Sequence, residues 1–156
     1  LDDEKRLGEI LDEMRSRSRM RLEGASHSAA VARACSYFSP VRAFDDMTGG
    51  IGYFHFLEKT AAAYSKDENF RKELARKLKE TAGKLFAADN LMVSYTADEE
   101  GYKALPEELK KFKAALSSGP SKRYTFEFTP ELKNEGFKTS SKVNYVARCG
   151  SFDAEA

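Results

Sequence analysis

Apolar residues recur along most of this chain at three- and four-residue spacings, and in three short runs at two-residue spacing. Leu7, Ile10, Leu11, Met14 and Leu22 share one face of a 3.6-residue period, which predicts an amphipathic helix over about Asp3 to Glu23. Asp2 or Asp3 can cap its first amides, and Gly24 can end it in a left-handed turn. A second helix is expected over Ser28 to Phe38, stopping ahead of Pro40 because a residue before proline is pushed out of the helical region. Pro40 then suits the first turn of a short third helix carrying Val41 and Phe44. After the break at Gly49, Gly50 and Gly52, a helix over Ile51 to Tyr64 lines up Ile51, Phe54, Leu57 and Ala61. Ser65-Lys-Asp-Glu68 reads as a capping box for a long helix with Phe70, Leu74, Leu78, Leu85 and Phe86 facing inward. Asp98 is placed to cap a last helix through Tyr102, Leu105, Leu109, Phe112 and Leu116, with Pro106 near its start or at a step in it.

The two-residue period appears over Leu91 to Thr96, Tyr124 to Thr129 and Lys142 to Cys149, each predicted as a β-strand with one apolar side. The expected fold is therefore α+β: helix-dominated, several amphipathic helices with a few strands. Residues 1–116 form the helical part with one strand, 117–122 a Ser/Gly/Pro linker, and 123–156 two strands with no helix to cover them. The stretch Ser26 to Leu57, small and apolar between charged flanks, is the expected buried centre.

Composition changes this picture little. The chain has 156 residues, 41% apolar and 33% charged, enough apolar content for one ordinary domain with a real core. Lys and Arg number 26 against 25 Asp and Glu, so the net charge of +1 gives no global pull toward nucleic acid or an anionic membrane. The run Arg15-Ser-Arg-Ser-Arg-Met-Arg21 divides its arginines between two helix faces, and no aromatics are interleaved for base stacking. It reads as a solvated face, with a nucleic-acid-binding helix as the competing reading. No apolar run approaches the roughly 18 residues that span a bilayer. Cys35 and Cys149 are far apart and in no ligand-like spacing, which fits two reduced thiols in a cytosolic-type compartment. The first residue is Leu, not Met, as expected of a piece of a longer chain.

Two stretches suggest chemistry without completing it. Gly49-Gly50-Ile-Gly52 lacks the preceding strand and the following Lys-Ser/Thr of a phosphate loop, so a flexible helix start is expected. His55-Phe-Leu-Glu58-Lys59 falls one residue short of H-x-x-E-H. Lysine is a cation at neutral pH and does not ligate, and one histidine with a glutamate does not reach the three or four ligands of a zinc site. His27 is not in register with it. No catalytic, cofactor-binding or metal-binding residue is assigned.

Three stretches in order carry a resemblance. They are Ser36-Tyr-Phe-Ser-Pro40 with Gly50-Ile-Gly52 and Phe56-Leu57; Asn90-Leu-Met-Val-Ser-Tyr-Thr-Ala-Asp-Glu-Glu-Gly-Tyr102; and Asn134-Glu-Gly-Phe-Lys-Thr-Ser-Ser-Lys-Val-Asn-Tyr-Val-Ala-Arg-Cys-Gly-Ser-Phe152. Together the chain resembles the C-terminal, non-catalytic half of the presequence-protease and falcilysin branch of the insulinase/pitrilysin family of zinc metallopeptidases. The resemblance implies a parent of four α+β units in two halves closing on a chamber for unfolded peptides. Its zinc would sit on an H-x-x-E-H helix in the first unit, with water attacking the peptide carbonyl and a Glu as general base. Residues 1–116 would then belong to the third unit and 123–156 to the opening of the fourth. The implied role is a wall of the chamber, and the fragment alone is expected to be inactive and to bind no zinc. Its expected partners are the rest of the protease and, through it, peptide substrates, with no nucleic acid and no membrane. Self-association through Tyr124–Thr129 and Lys142–Cys149 is expected if those strands stay uncovered. The expected compartment is a bacterial cytoplasm, or an organelle for a eukaryotic parent. The competing class is a stand-alone helical interaction module with no enzymatic activity.

Overall fold

A computed structural model describes residues 3–118 and 124–150. Asp2, residues 119–122 of the expected linker, and Phe152 lie outside the described residues. Six α-helices follow one another: α1 Glu4–Gly24, α2 Ser26–Ser36, α3 Pro40–Gly49, α4 Ile51–Lys66, α5 Glu68–Leu85 and α6 Glu99–Ala114, with a 3-10 turn at Ala88–Asn90. The chain divides into two compact units, Asp3–Phe70 with the described part of Thr125–Ala156, and Arg71–Tyr124.

In the first unit, α1 packs along α4, and α3 joins both α2 and α4. Leu57 on α4 is 2% exposed and is the best-buried large side chain among the described residues, with Leu11, Ile51, Ala61 and Tyr64 also buried. Tyr64 spans the α1–α4 seam: its hydroxyl donates to the Glu4 carbonyl oxygen at 2.9 Å. A Cβ on Gly8 would lie 3.3 Å from the Tyr64 ring, so the small residue lets the aromatic come close. The expected centre, Ser26 to Leu57, is thus half of the core. The other half is the α1 and distal α4 residues that clasp each other.

Helix starts follow the predicted chemistry where a side chain reaches a free amide. Asp3 accepts from the Arg6 amide at 2.9 Å, and Asp98 from the Gly101 amide at 2.8 Å. Ser39 accepts from the Arg42 amide just ahead of Pro40 at the first turn of α3. Two expectations are corrected. Gly24 does not turn left-handed; it stays in α1, no described glycine has positive φ, and the Ser26 hydroxyl caps the helix end by donating to the Glu23 carbonyl at 2.8 Å. The capping box at Ser65 does not form, because α4 continues through Lys66 and keeps Ser65 helical. Asp67 is the cap, accepting from the Asn69 and Phe70 amides at 2.8 and 3.2 Å.

In the second unit, Ser117 and Asn90 close the end of α5. The Asn90 amide donates to the Lys84 carbonyl at 2.7 Å, and the Ser117 hydroxyl to the Gly83 carbonyl at 2.5 Å. These are carbonyls that a helix end leaves without internal partners. The Ala88 amide donates to the Ser117 carbonyl at 2.9 Å, which forms a single parallel bridge between Ala87 and Ser117. Ala87 is buried there, whereas Leu85 and Phe86, expected to face inward, are 63% and 67% exposed. Phe70, Leu74 and Leu78, also expected to face inward, are half-buried.

The α+β expectation is overturned: among the described residues the fold is helical, with no strand or sheet. Leu91 to Thr96, Tyr124 to Thr129 and Lys142 to Cys149 are irregular. Alternation assigns side chains to two faces, but a strand exists only when a second strand takes its N–H and C=O groups about 4.8 Å away. No described segment supplies that second strand. The apolar side chains of the two later runs meet helices instead: Phe126 packs edge-on against Phe44, with ring centroids 5.7 Å apart, and Tyr145 lies 5.8 Å from His27.

Leu57→Ala would leave a hole where α4 is tightest. The expected loss is about 3 kcal/mol, read as a lower urea midpoint at unchanged slope. A loss under roughly 1 kcal/mol would mean that the α1–α4 seam re-closes around the gap.

Candidate functional site

The densest polar cluster of the first unit forms around Arg33, the one charged residue of α2. Its neighbours Ala29, Ala30 and Ala34 on that helix are too small to screen the guanidinium from other elements. Nη1 donates to Asp46 Oδ2 at 2.5 Å. Nε and Nη2 donate to the two carboxylate oxygens of Glu135 at 2.8 and 3.0 Å, a bidentate fork. The Tyr37 hydroxyl donates to the same Glu135 carboxylate, and Arg33 also stands 5.1 Å over the Tyr37 ring. The bond to Glu135 is the main reason the Arg33 pKa is raised above its ordinary value, against the lowering effect of burial and with Asp46 adding. Each of the three guanidinium nitrogens donates to a carboxylate within the chain. The guanidinium is a clamp between α2, α3 and the C-terminal segment.

Asp46 is 8% exposed. Besides Arg33 it receives the Gly52 amide in the first turn of α4, at 3.2 and 3.3 Å to its two oxygens. This explains Gly49-Gly-Ile-Gly52. A Cβ on Gly50 would lie 2.8 Å from the Asp46 Cα, and one on Gly52 would meet the Asp46 carboxylate. The helix N-terminus that could have cradled a phosphate holds an anion already, the carboxylate of the preceding helix.

The described C-terminal segment lies over α2 and α4. It encloses with them, and with the end of α1, an open groove of about 1410 Å³. His55 faces Phe137 there, with ring centroids 5.9 Å apart. Cys35 and Cys149, separated by 114 positions, meet with sulfurs 3.1 Å apart. Both are free thiols. The bond from Cys149, then burial, pushes the Cys35 thiol pKa up.

The residues flagged for chemistry in the sequence stay scattered. His55 and Glu58 share α4 with Lys59, and His27 lies against Tyr145. Among the described residues no group of three or more His, Cys, Asp or Glu could hold a metal ion. The described residues do not fit a zinc ion. The arginine run of α1 is tied up locally: Arg15 to Asp12 at 3.1 Å, Arg17 to Glu13 at 2.5 Å, Arg19 to Glu23 at 2.9 Å, and Arg21 to the Gly49 carbonyl. No helix among the described residues is long and apolar enough to cross a membrane. Sequence reasoning missed Arg33, Asp46, Tyr37 and Glu135. A lone charge inside a helix of small residues was the signal for Arg33, and an acid just ahead of clustered glycines was the signal for Asp46.

Comparison with known proteins agrees with the resemblance. Residues 1–59 match the family described as Peptidase M-16C associated. Protein HypA of Clostridium perfringens is 27% identical over 152 residues, covering 97% of this chain and 15% of that protein. Presequence protease 1, chloroplastic/mitochondrial, of Arabidopsis thaliana is 26% identical over 150 residues, covering 96% of this chain and 14% of that protein. No solved structure matches. The chain spans about one-seventh of the length of these relatives.

Gly52→Ala gives a sign test of the Asp46 contact. In an open helix the change stabilises by up to about 1 kcal/mol, as expected for Gly83→Ala, where nothing lies within 4 Å. At Gly52 the added methyl must displace the carboxylate, so a loss of about 2 kcal/mol is expected in denaturant unfolding. A gain at Gly52 equal to that at Gly83 would contradict the contact.

Proposed function

We propose that this chain is a non-catalytic part of a zinc metalloendopeptidase that degrades unfolded peptides, and that it serves as wall and scaffold of the enclosing chamber. The observation that carries the reading is similarity along nearly the whole chain, 96% of it, to a protein named a presequence protease. The peptidase-associated family match over residues 1–59 adds to it. The architecture supports it. The densest polar cluster of the first unit is spent on holding α2, α3 and the C-terminal segment together. Large apolar side chains such as Phe86, Tyr124, Leu132 and Val146 stay exposed, as surfaces do that the rest of a longer protein covers. The alternating runs Tyr124–Thr129 and Lys142–Cys149 would take their strand partners from that same remainder. The metal would be held elsewhere in the parent, in a cytoplasmic or organellar setting according to the source.

Two measurements test the reading. The reading frame upstream of Leu1 should encode H-x-x-E-H, and a start codon directly before Leu1 would select the stand-alone interaction module instead. The parent should cleave an unstructured peptide, while the 156-residue chain should neither cleave it nor carry stoichiometric zinc. One zinc per chain, lost on His55→Ala, would overturn the assignment of this piece as non-catalytic.

A further inference from the structure

We propose that Cys35 and Cys149 are a disulfide-forming pair, a reversible redox staple that fastens the C-terminal segment to α2. The pairing rests on geometry and not on the peptidase reading. A thiol pair this far apart in sequence meets only if the fold brings it together. Here two elements of one compact unit place the sulfurs 3.1 Å apart. A disulfide bond is about 2.05 Å long, so a side-chain adjustment of about 1 Å closes it. Both residues are half-buried, open enough for a small oxidant to reach them.

The surroundings hold the pair in place from both sides. On the α2 side, Arg33 lies two residues before Cys35 and grips Glu135 by two hydrogen bonds. On the segment side, Tyr145 rests on His27. The segment is therefore anchored at Glu135 and Tyr145 before Cys149 is reached, and the thiols are presented to each other without any disulfide.

The oxidant is a low-molecular-weight disulfide such as oxidised glutathione. One cysteine thiolate attacks it, forming a mixed disulfide and releasing one glutathione thiolate. The other cysteine thiolate attacks the protein sulfur of that adduct, the Cys35–Cys149 bond forms, and the second glutathione leaves. The two protons given up by the protein thiols end on the two glutathiones. Protein dithiol and one oxidised glutathione become protein disulfide and two reduced glutathiones. Reduction runs the same exchange backwards.

The consequence is topological. Closing a 114-position loop cross-links the segment to the helices and limits how far it can leave them. In the reduced state the segment depends on the Arg33–Glu135 fork and the ring contacts. Oxidation adds a covalent tie at the far end of the same segment, so the redox state sets how readily it detaches.

The test is titration of the whole chain at about 1 µM in glutathione buffers of increasing oxidised fraction, with acid quenching and thiol alkylation. At that dilution intramolecular closure should outrun pairing between chains by about a thousandfold, given effective concentrations near millimolar. The expected product is a monomer lacking both free thiols, with a tryptic peptide joining Cys35 to Cys149 and faster migration on a non-reducing gel. Cys35→Ser and Cys149→Ser should each stop at a single glutathione adduct. Circular dichroism of both variants checks that the helices remain. In the oxidised protein, limited proteolysis within residues 125–148 should slow at least about tenfold relative to the reduced one. Thiols that stay free, or adducts on both cysteines without closure, would overturn the proposal. So would disulfides formed only between chains.

Discussion

A carboxylate taken out of water organises the first unit. Asp46 sits at the end of α3 with its charge facing inward, where an unpaired anion would cost several kcal/mol. Three things offset that cost: the Arg33 guanidinium, the Gly52 amide at the positive end of α4, and the near absence of side chains around it. Each requirement fixes sequence elsewhere. The α4 amide must be approached closely, which calls for glycine at 50 and 52. Arg33 must reach inward from α2, which calls for alanines around it. Once there, its remaining donors face the C-terminal segment, and Glu135 takes them. The segment's docking is thus a consequence of how a buried acid in the helical layer is compensated.

How much of this was legible follows from the range of each interaction. Helix positions rest on local periodicity and on side chains that cap amides two or three residues away. Accordingly α3, α4, α6 and the caps at Asp3 and Asp98 stand where the sequence put them, give or take an end. The strands failed for the complementary reason: Tyr124, Phe126 and Phe128 show an apolar face, but nothing local supplies the second strand. Gly24 and Ser65 failed because a local signal was overridden by a helix that ran on. The glycine cluster reads as flexible in the sequence, whereas its true constraint is contact with Asp46, four to six residues away across a helix turn. The links from Arg33 to Glu135 and from Cys35 to Cys149 cross more than a hundred positions. No spacing rule reaches that far, and only the lone charge in α2 hinted at one end.

The functional picture is consistent with a region that supports chemistry carried elsewhere. Its histidines rest against aromatic rings, its arginine run is paired along its own helix or to the Gly49 carbonyl, and the guanidinium of its most concentrated cluster is bound to two carboxylates of the same chain. What the cluster does within the chain is hold the C-terminal segment against α2 and α3.

Asp46 and Arg33 are held to act as one unit, and the most direct measurement of this is a double-mutant cycle on Arg33→Ala and Asp46→Ala by equilibrium unfolding in urea. If they do, each single change is strongly destabilising and the double variant is far less so than their sum, with a coupling of about 2 kcal/mol. Additivity within about 0.5 kcal/mol would show the two side chains to be independent, and the buried carboxylate would no longer explain the fold around it.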